Sequence, residues 1–218
     1  MALEKILNNG YLYNIFGRLI GRKNSAGRTG FYNLPKIEGR KLRVLDIGCG
    51  PGSNSQLFIG TEYYGFDFNK QNITMANEKY KNYPNMHFVC ADVNDYFNAQ
   101  NLKHNDYFDL VYMTGVMHHL TDDELRKCLS SVKNLLRTPS LEMAEDIVGE
   151  LRTQDGVFLP QNSAWSNFLL KRDRGKFVRT EADYLALLKP YFPKIETKIF
   201  TDLNRIGYPI IIFNARGR

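Results

Sequence analysis

The chain of 218 residues, 43% hydrophobic and 24% charged, has an ordinary composition for one globular domain, which excludes a disordered, collagen-like or repeat protein. Its formal net charge of +6 fits a mildly basic enzyme; the alternative, a nucleic-acid-binding protein, requires the basic residues to gather on one face. The three cysteines form no C-x-x-C pair, and no N-terminal apolar leader is visible. No apolar run approaches the roughly 18 residues that span a bilayer. We therefore expect a cytoplasmic protein with reduced thiols.

Residues 1–40 are predicted to form a helical cap segment ahead of the main domain. Apolar residues between Leu3 and Ile20 recur near helical spacing, and glycines interrupt the pattern. The basic, glycine-rich stretch 21–30 predicts a loop. This segment either caps an active site, lies on a membrane, or simply packs on the edge of the domain that we place at 41–218.

Short β-rich runs and helical stretches alternate through the first half of that domain. A glycine, an aspartate or a threonine follows each run within two positions, and Thr121 is a predicted helix N-cap. The predicted strands are 44–47, 63–66, 87–90 and 108–113. Three helices are predicted: one that begins near Ser53, one at about 69–80 and one at 122–136.

This alternation predicts an α/β fold: a Rossmann-like, doubly wound, mostly parallel seven-stranded sheet with an antiparallel strand near the C-terminus. Two runs, 194–200 and 208–213, predict the closing strand pair, and a helix is predicted after Thr180. The fifth strand has two alternatives, because residues 141–150 are acidic and helix-like. Either a short helix is inserted there, or the strand is displaced to about 147–158.

The candidate site residues follow the strands, at the edge where such sheets bind ligands. Residues 48–52 have the pattern G-x-G-x-G, in which glycine lets a ligand approach the main chain closely. Dinucleotide-binding sites use G-x-G-x-x-G, and here Ser53 stands at the later glycine's place. The carboxylate of Asp46, just before the loop, disfavours a pyrophosphate and favours a ligand that carries an ammonium or sulfonium group.

The segment VLDIGCGPG at 44–52 resembles the first motif of class I methyltransferases, which use S-adenosylmethionine (SAM). The resemblance continues through GFD at 65–67, CADV at 90–93, FDLV at 108–111 and TGVMHHL at 114–120. It covers residues 42–137 well, and its last segment is similar to the small-molecule branch, methyltransferase types 11 and 12. It implies an enzyme that transfers a methyl group from SAM to a small molecule and releases S-adenosylhomocysteine.

The resemblance also implies roles at matching positions. Asp46 lies near the SAM amino group, Asp67 accepts hydrogen bonds from the ribose hydroxyls, and Phe68 packs on the adenosine. An acidic residue about twenty residues past the glycine loop is also how such folds hold a ribose. The other implied cofactor contacts are the methionine-binding loop residues Gly48, Cys49 and Gly50, the adenine contacts Ala91, Asp92 and Val93, and the methyl-group neighbours Thr114 and Gly115.

His118 and His119 are the candidate catalytic residues, because they follow the fourth strand near the expected methyl group. A base is needed only if the acceptor must lose a proton, and the alternative for each histidine is helix capping or packing beside the cofactor.

Arg174 and Arg179 are candidates for binding an anionic acceptor group. They belong to a basic segment, 171–179, that forms either a lid with nearby aromatic residues or a solvated loop. We expect no metal, since no grouping of histidines and carboxylates has ligand spacing.

Other functions stay open on the sequence. One is an RNA or protein methyltransferase, which the charge permits although no nucleic-acid module or basic aromatic platform is visible. Another is a non-catalytic SAM-binding protein. A nicotinamide-dependent dehydrogenase is a further alternative, from the glycine spacing.

Overall fold

A mixed β-sheet runs through the centre of the chain in the computed structural model, which describes residues 28–92, 107–137, 149–173 and 175–217. The strands within these residues are β1 Arg43–Ile47, β2 Glu62–Asp67, β3 Met86–Cys90, β4 Leu110–Thr114, β5 Glu150–Phe158, β6 Arg179–Thr180, β7 Lys194–Phe200 and β8 Ile210–Arg216. Their order is β3-β2-β1-β4-β5-β8-β7, and the short β6 pairs with β5.

The strand directions confirm the predicted doubly wound, mostly parallel sheet. The five adjacent strands β3, β2, β1, β4 and β5 run parallel to one another. Strand β8 runs antiparallel to both β5 and β7. Because β2 and β3 lie on one side of β1 and β4 lies on the other, the topological switch point falls between β1 and β4. Sheets of this kind bind ligands at that point, outside the carboxyl ends of the strands.

Helices connect the strands and begin at side chains that cap their free N–H groups. Asn69 accepts hydrogen bonds at the start of α1, and Thr121 forms a capping box with Glu124 at the start of α2. The α-helices of the described residues are α1 Lys70–Tyr80, α2 Asp122–Leu135, α3 Ala164–Lys171 and α4 Glu181–Leu188. The helices predicted at 69–80, at 122–136 and after Thr180 are thus confirmed. Within the four described ranges, no helix is long and apolar enough to cross a bilayer.

Alternate residues of β1 face two separate hydrophobic cores, as the twofold period of a strand requires. Leu45 and Ile47 pack in one core with apolar residues of α2 and α4. Val44 packs in the other, together with residues of α1 and with Phe31 from the segment before the sheet. Helices therefore cover both faces of the sheet, and β1 is buried on each side.

The fifth strand follows the second of the two alternatives that the sequence allows. β5 covers Glu150–Phe158, pairs parallel with β4 and pairs antiparallel with β8. The strand is therefore displaced to about the predicted position of 147–158. Most of the stretch 141–150, in which a short helix was the other alternative, lies outside the described residues.

The prediction of a helix beginning near Ser53 is wrong. The chain forms only a short 3₁₀ turn there, Ser55–Phe58, and the preceding Asn54 makes no capping hydrogen bond. Instead the Asn54 amide donates to the Tyr32 hydroxyl at 2.9 Å, and the Ser55 hydroxyl is bonded to the Tyr63 hydroxyl at 2.8 Å. Asn54 and Ser55 therefore use their polar groups in tertiary contacts, 22 and 8 positions away along the chain.

The segment before β1 is fixed on the sheet by burial and by a guanidinium group. Phe31 is only 2% exposed. Arg152 of β5 donates to the main-chain oxygens of Phe31 at 3.0 Å and Asn33 at 2.6 Å. Residues 1–27 lie outside the described residues, so the helical cap segment 1–40 and its boundary stay predictions.

Candidate active site

The loop after β1 depends on its glycines. Gly48, Gly50 and Gly52 have φ angles of 76°, 57° and 71°, a left-handed conformation that other residues rarely adopt. The Gly48 N–H donates to the Phe66 oxygen at 2.7 Å, which ties the loop to β2. A Cβ atom on Gly48 would lie 2.6 Å from Val116, just past β4, whereas one on Gly50 would meet nothing within 4 Å. The loop therefore packs tightly between neighbouring strand ends and leaves open space beside Gly50.

Asp67, the last residue of β2, joins this loop to the start of α1. One carboxylate oxygen accepts the Gly50 N–H at 3.0 Å, and the other accepts the Asn69 N–H at 2.8 Å. The side chain is half-buried, so part of the carboxylate stays open to solvent. The next residue, Phe68, is 88% exposed. A carboxylate and a bare aromatic ring thus stand side by side at the edge of the sheet.

Asp46 is buried, at 6% exposure, and belongs to a chain of polar side chains inside the protein. It accepts the Tyr63 hydroxyl at 2.7 Å, and that hydroxyl is also bonded to Ser55. Burial raises the pKa of Asp46 to about 7, although the Tyr63 hydrogen bond lowers it. The contacts of Asp46 within the protein support the base of the glycine loop, and its predicted position near the SAM amino group stays a prediction.

The residues predicted to contact the adenine follow β3, next to Asp67. Cys90, at the end of β3, is the register partner of Asp67. Ala91 is half-buried and packs on the core, and Asp92 is exposed. Val93 lies outside the described residues. The structure thus brings the described adenine candidates to the same edge as the glycine loop, and their contact with a cofactor stays a prediction.

A tyrosine that sequence reasoning missed reaches the predicted methyl-group position. Thr114 ends β4, and Gly115 follows it with a φ angle of 70°. The Tyr32 hydroxyl lies 3.4 Å from the Thr114 hydroxyl and accepts the Asn54 amide. The Tyr32 ring is stacked on Tyr112 with centroids 5.7 Å apart. The adjacent aromatic residues Phe31 and Tyr32, ahead of β1, are a sequence signal that could have indicated this placement.

His118 forms the centre of a buried polar cluster and does not face solvent. Its Nδ1 atom lies 2.6 Å from Asp155 on β5, and its Nε2 atom lies 3.4 Å from Asp173, after α3. The Tyr208 hydroxyl donates to Asp173 at 2.6 Å. A Cβ atom on Gly175 would lie 1.7 Å from the His118 ring, so the chain after α3 packs directly on it. The cluster joins β5, the turn after β4 and two later loops.

The contacts and electrostatics of this cluster argue against the predicted role of His118 as a base. Burial alone would lower the pKa of His118, but the contacts with Asp155 and Asp173 outweigh it and raise the pKa to about 10. The imidazole is therefore protonated on both nitrogens at neutral pH. In that form it has no free lone pair with which to accept a proton from the acceptor. The contacts of His118 with Asp155 and Asp173 favour the alternative of packing beside the site, and its role stays a prediction. His119 is exposed at the same turn, and its catalytic role stays a prediction.

Arg179 is a structural residue, which corrects its predicted role in binding the acceptor. An arginine has five N–H donors, and in Arg179 all of them are used inside the protein. They bond to the Asp122 carboxylate and to the main-chain oxygens of Met117, Leu120 and Phe177, at distances of 2.7 to 3.0 Å. The guanidinium group therefore holds the turn after β4 against the start of α2 and has no donor left for a ligand.

Two further sequence predictions concern Arg174 and metal binding. Arg174 lies outside the described residues, so its role in binding the acceptor stays a prediction. Among the residues that the structure describes, no three histidine, cysteine, aspartate or glutamate side chains come close enough to hold a metal ion. Asp155, Asp173 and Tyr208, which surround His118, carried no signal in the sequence because they are far from it along the chain.

Residues 44–139 match the family model described as Methyltransferase domain. Two curated Escherichia coli proteins, both named O-antigen chain terminator bifunctional methyltransferase/kinase WbdD, are 30% identical to this chain. The matches cover 51% of this chain and 16% of each relative, so the chain spans only a small part of their length.

Solved methyltransferase structures share the fold over nearly the whole chain. The N-methyltransferase NodS from Bradyrhizobium japonicum WM9, in complex with S-adenosyl-L-homocysteine, is 14% identical with a TM-score of 0.68, covering 99% of this chain and 96% of NodS. Human N-acetylserotonin methyltransferase in complex with SAM is 15% identical with a TM-score of 0.63, covering 98% of this chain and 56% of the human protein. At these identities the likeness shows the shared fold.

Proposed function

We propose that the chain is a methyltransferase that transfers a methyl group from SAM to a small-molecule acceptor, in keeping with the match of residues 44–139 to a methyltransferase domain model. One observation carries the proposal: the glycine loop, the Asp67 carboxylate and the end of β4 meet at the switch point of a doubly wound sheet. The named structural relatives are methyltransferases, and the name of the human relative states a small molecule, N-acetylserotonin.

The residues at this edge fit SAM. The space beside Gly50 is open, so the loop backbone is accessible to a ligand. The half-buried Asp67 carboxylate suits the ribose hydroxyls, since charged acceptors form strong hydrogen bonds. The exposed ring of Phe68 offers an apolar face to the nucleoside. These are the chemical groups that a nucleoside with a short polar arm requires.

The chemistry of the site needs little from the side chains beyond alignment. SAM, when bound, supplies an electrophilic methyl group on a sulfonium sulfur. The glycine loop and Asp67 hold the donor, while the Thr114 and Tyr32 hydroxyls lie at the switch point where the acceptor must approach. His118 carries a proton at neutral pH and does not act as a base. If the acceptor must lose a proton, the exposed His119 is the remaining candidate.

Calorimetry tests the cofactor, and product analysis tests the transfer. We expect the full chain to bind SAM and S-adenosylhomocysteine, and not NAD, at a single site. Incubation with SAM carrying a labelled methyl group and a library of small metabolites is then expected to give a labelled product. Binding of NAD in place of SAM would support a dehydrogenase, and SAM binding with no labelled product across metabolites, RNA and protein would support a non-catalytic protein.

Replacing Tyr32 with phenylalanine is expected to weaken SAM binding, methyl transfer or both by about two- to tenfold. This is the change in affinity or rate that corresponds to the net free energy of one hydrogen bond. The hydroxyl lies between Asn54 and Thr114, while the ring packs on Tyr112 and would remain in place. Calorimetry and initial rates measure the effect, and the melting temperature controls for folding. Unchanged affinity and rate would remove Tyr32 from the site.

Two properties of the whole protein belong to this proposal. A cytoplasmic location rests on the cysteine count and composition. The helical cap segment 1–40 rests on its apolar spacing.

A further inference from the structure

Two aromatic side chains lie exposed on one face of α3. Trp165 is 56% exposed and Phe168 is 45% exposed. They are three residues apart and so project from the same side of the helix, and their rings are stacked with centroids 5.6 Å apart. Covering adjoining apolar groups on a surface removes apolar area from water, so a partner that covers them gains binding energy.

The tryptophan is hydrogen-bonded to a neighbouring loop, and its polar atom is already satisfied. The Trp165 indole N–H donates to the Ile206 oxygen at 3.0 Å. The neighbouring Ser166 hydroxyl donates to the Gly207 oxygen at 2.7 Å, so α3 is fixed on the loop between β7 and β8. Because an indole has a single donor, Trp165 presents only its ring to the surroundings.

Basic residues surround the aromatic pair. Lys171 and Arg172 follow Phe168 on the same helical stripe, and both are exposed. The Arg172 guanidinium lies 5.0 Å from the centre of the Phe168 ring. Arg205 is exposed beside Ile206, whose oxygen accepts the Trp165 N–H. We call this set, Trp165, Phe168, Lys171, Arg172 and Arg205, the aromatic-basic face.

The nearby described carboxylates do not neutralise this face. Asp173 is bonded to Tyr208 and lies in contact with His118, in the buried cluster. Asp202 is paired with Arg28 at 2.5 Å. The face therefore combines exposed rings with a net positive charge.

We propose that the aromatic-basic face docks on an anionic lipid bilayer. Aromatic rings settle at the boundary between headgroups and acyl chains, and basic side chains are attracted to anionic headgroups. A second copy of the chain is a poor occupant, because a symmetric contact would bring the same cations together. An acidic protein would match the cations alone, whereas a bilayer offers a partner to both the cations and the rings.

Trp165 is the only tryptophan of the chain, so its fluorescence reports on this face. We expect vesicles of phosphatidylcholine with phosphatidylglycerol to shift its emission to shorter wavelength, and brominated acyl chains to quench it. Added salt should reverse both effects. An equal response to pure phosphatidylcholine, no response to either vesicle, or a response only to polyglutamate would each overturn the proposal. The test needs neither SAM nor an acceptor, so its result is independent of the proposed enzyme activity.

A pair of charge reversals locates the contact. Lys171→Glu with Arg172→Glu is expected to weaken vesicle binding by at least about tenfold, from the loss of attraction at two positions near the surface. The control is Lys127→Glu with Lys133→Glu, which changes the net charge equally at exposed positions on α2. Equal losses in the two pairs would mean that overall charge drives binding, which would overturn the assignment to this face.

Discussion

Replacing Asp67 with alanine is expected to weaken SAM binding by one to two orders of magnitude, about the loss of charge-assisted hydrogen bonds to the ribose. The carboxylate has a second task, because it accepts the N–H groups of Gly50 and Asn69. The substitution therefore removes the proposed ribose contact and also loosens the loop. Calorimetry with SAM and with S-adenosylhomocysteine measures the loss.

A second variant removes the charge of Asp67 and keeps its size. Asp67→Asn keeps the size of the side chain and one oxygen acceptor but loses the charge, so we expect an intermediate loss of affinity. Asp123→Ala, at an exposed carboxylate on α2, is the control and should leave binding unchanged. SAM affinity that stays the same in Asp67→Ala, with a normal melting temperature, would rule out the ribose assignment.

Replacing His118 with glutamine is expected to lower the free energy of unfolding by about 3–5 kcal/mol, the usual cost of removing one partner of a buried ion pair. The side chain is buried between the carboxylates of Asp155 and Asp173, which would lose their cation. Urea or thermal unfolding measures the change. The adjacent and exposed His119→Gln is the matched control, expected within about 0.5 kcal/mol of the wild type.

The same contact predicts how stability depends on pH. The pKa of His118 is raised from 6.5 to about 10 in the folded protein, so its contribution is fully present below about pH 6.5 and is lost as the pH rises through 10. His118→Gln should lack this contribution, and its deficit relative to the wild type should shrink toward pH 10. A variant with wild-type stability and no methyl transfer would restore the catalytic assignment of His118.

Several features follow from residues that are close together in the sequence. The strand–glycine loop at 43–52 forms because apolar residues precede glycines, which adopt the left-handed turn without strain. Asn69 and Thr121 cap α1 and α2 through hydrogen bonds that span only two or three residues. The alternation of such elements is enough to predict the parallel sheet and the edge where the candidate residues meet.

Contacts between residues far apart along the chain decide the rest. The Tyr32 hydroxyl meets Thr114 across 82 positions, and Asp155 meets His118 across 37, so no local pattern marks either pair. Arg179 resembles a ligand-binding residue until the five hydrogen bonds that it donates within the protein are known. The helix expected near Ser53 fails for the same reason: a capping group gains about as much from a tertiary hydrogen bond as from a helix end, and packing selects between them.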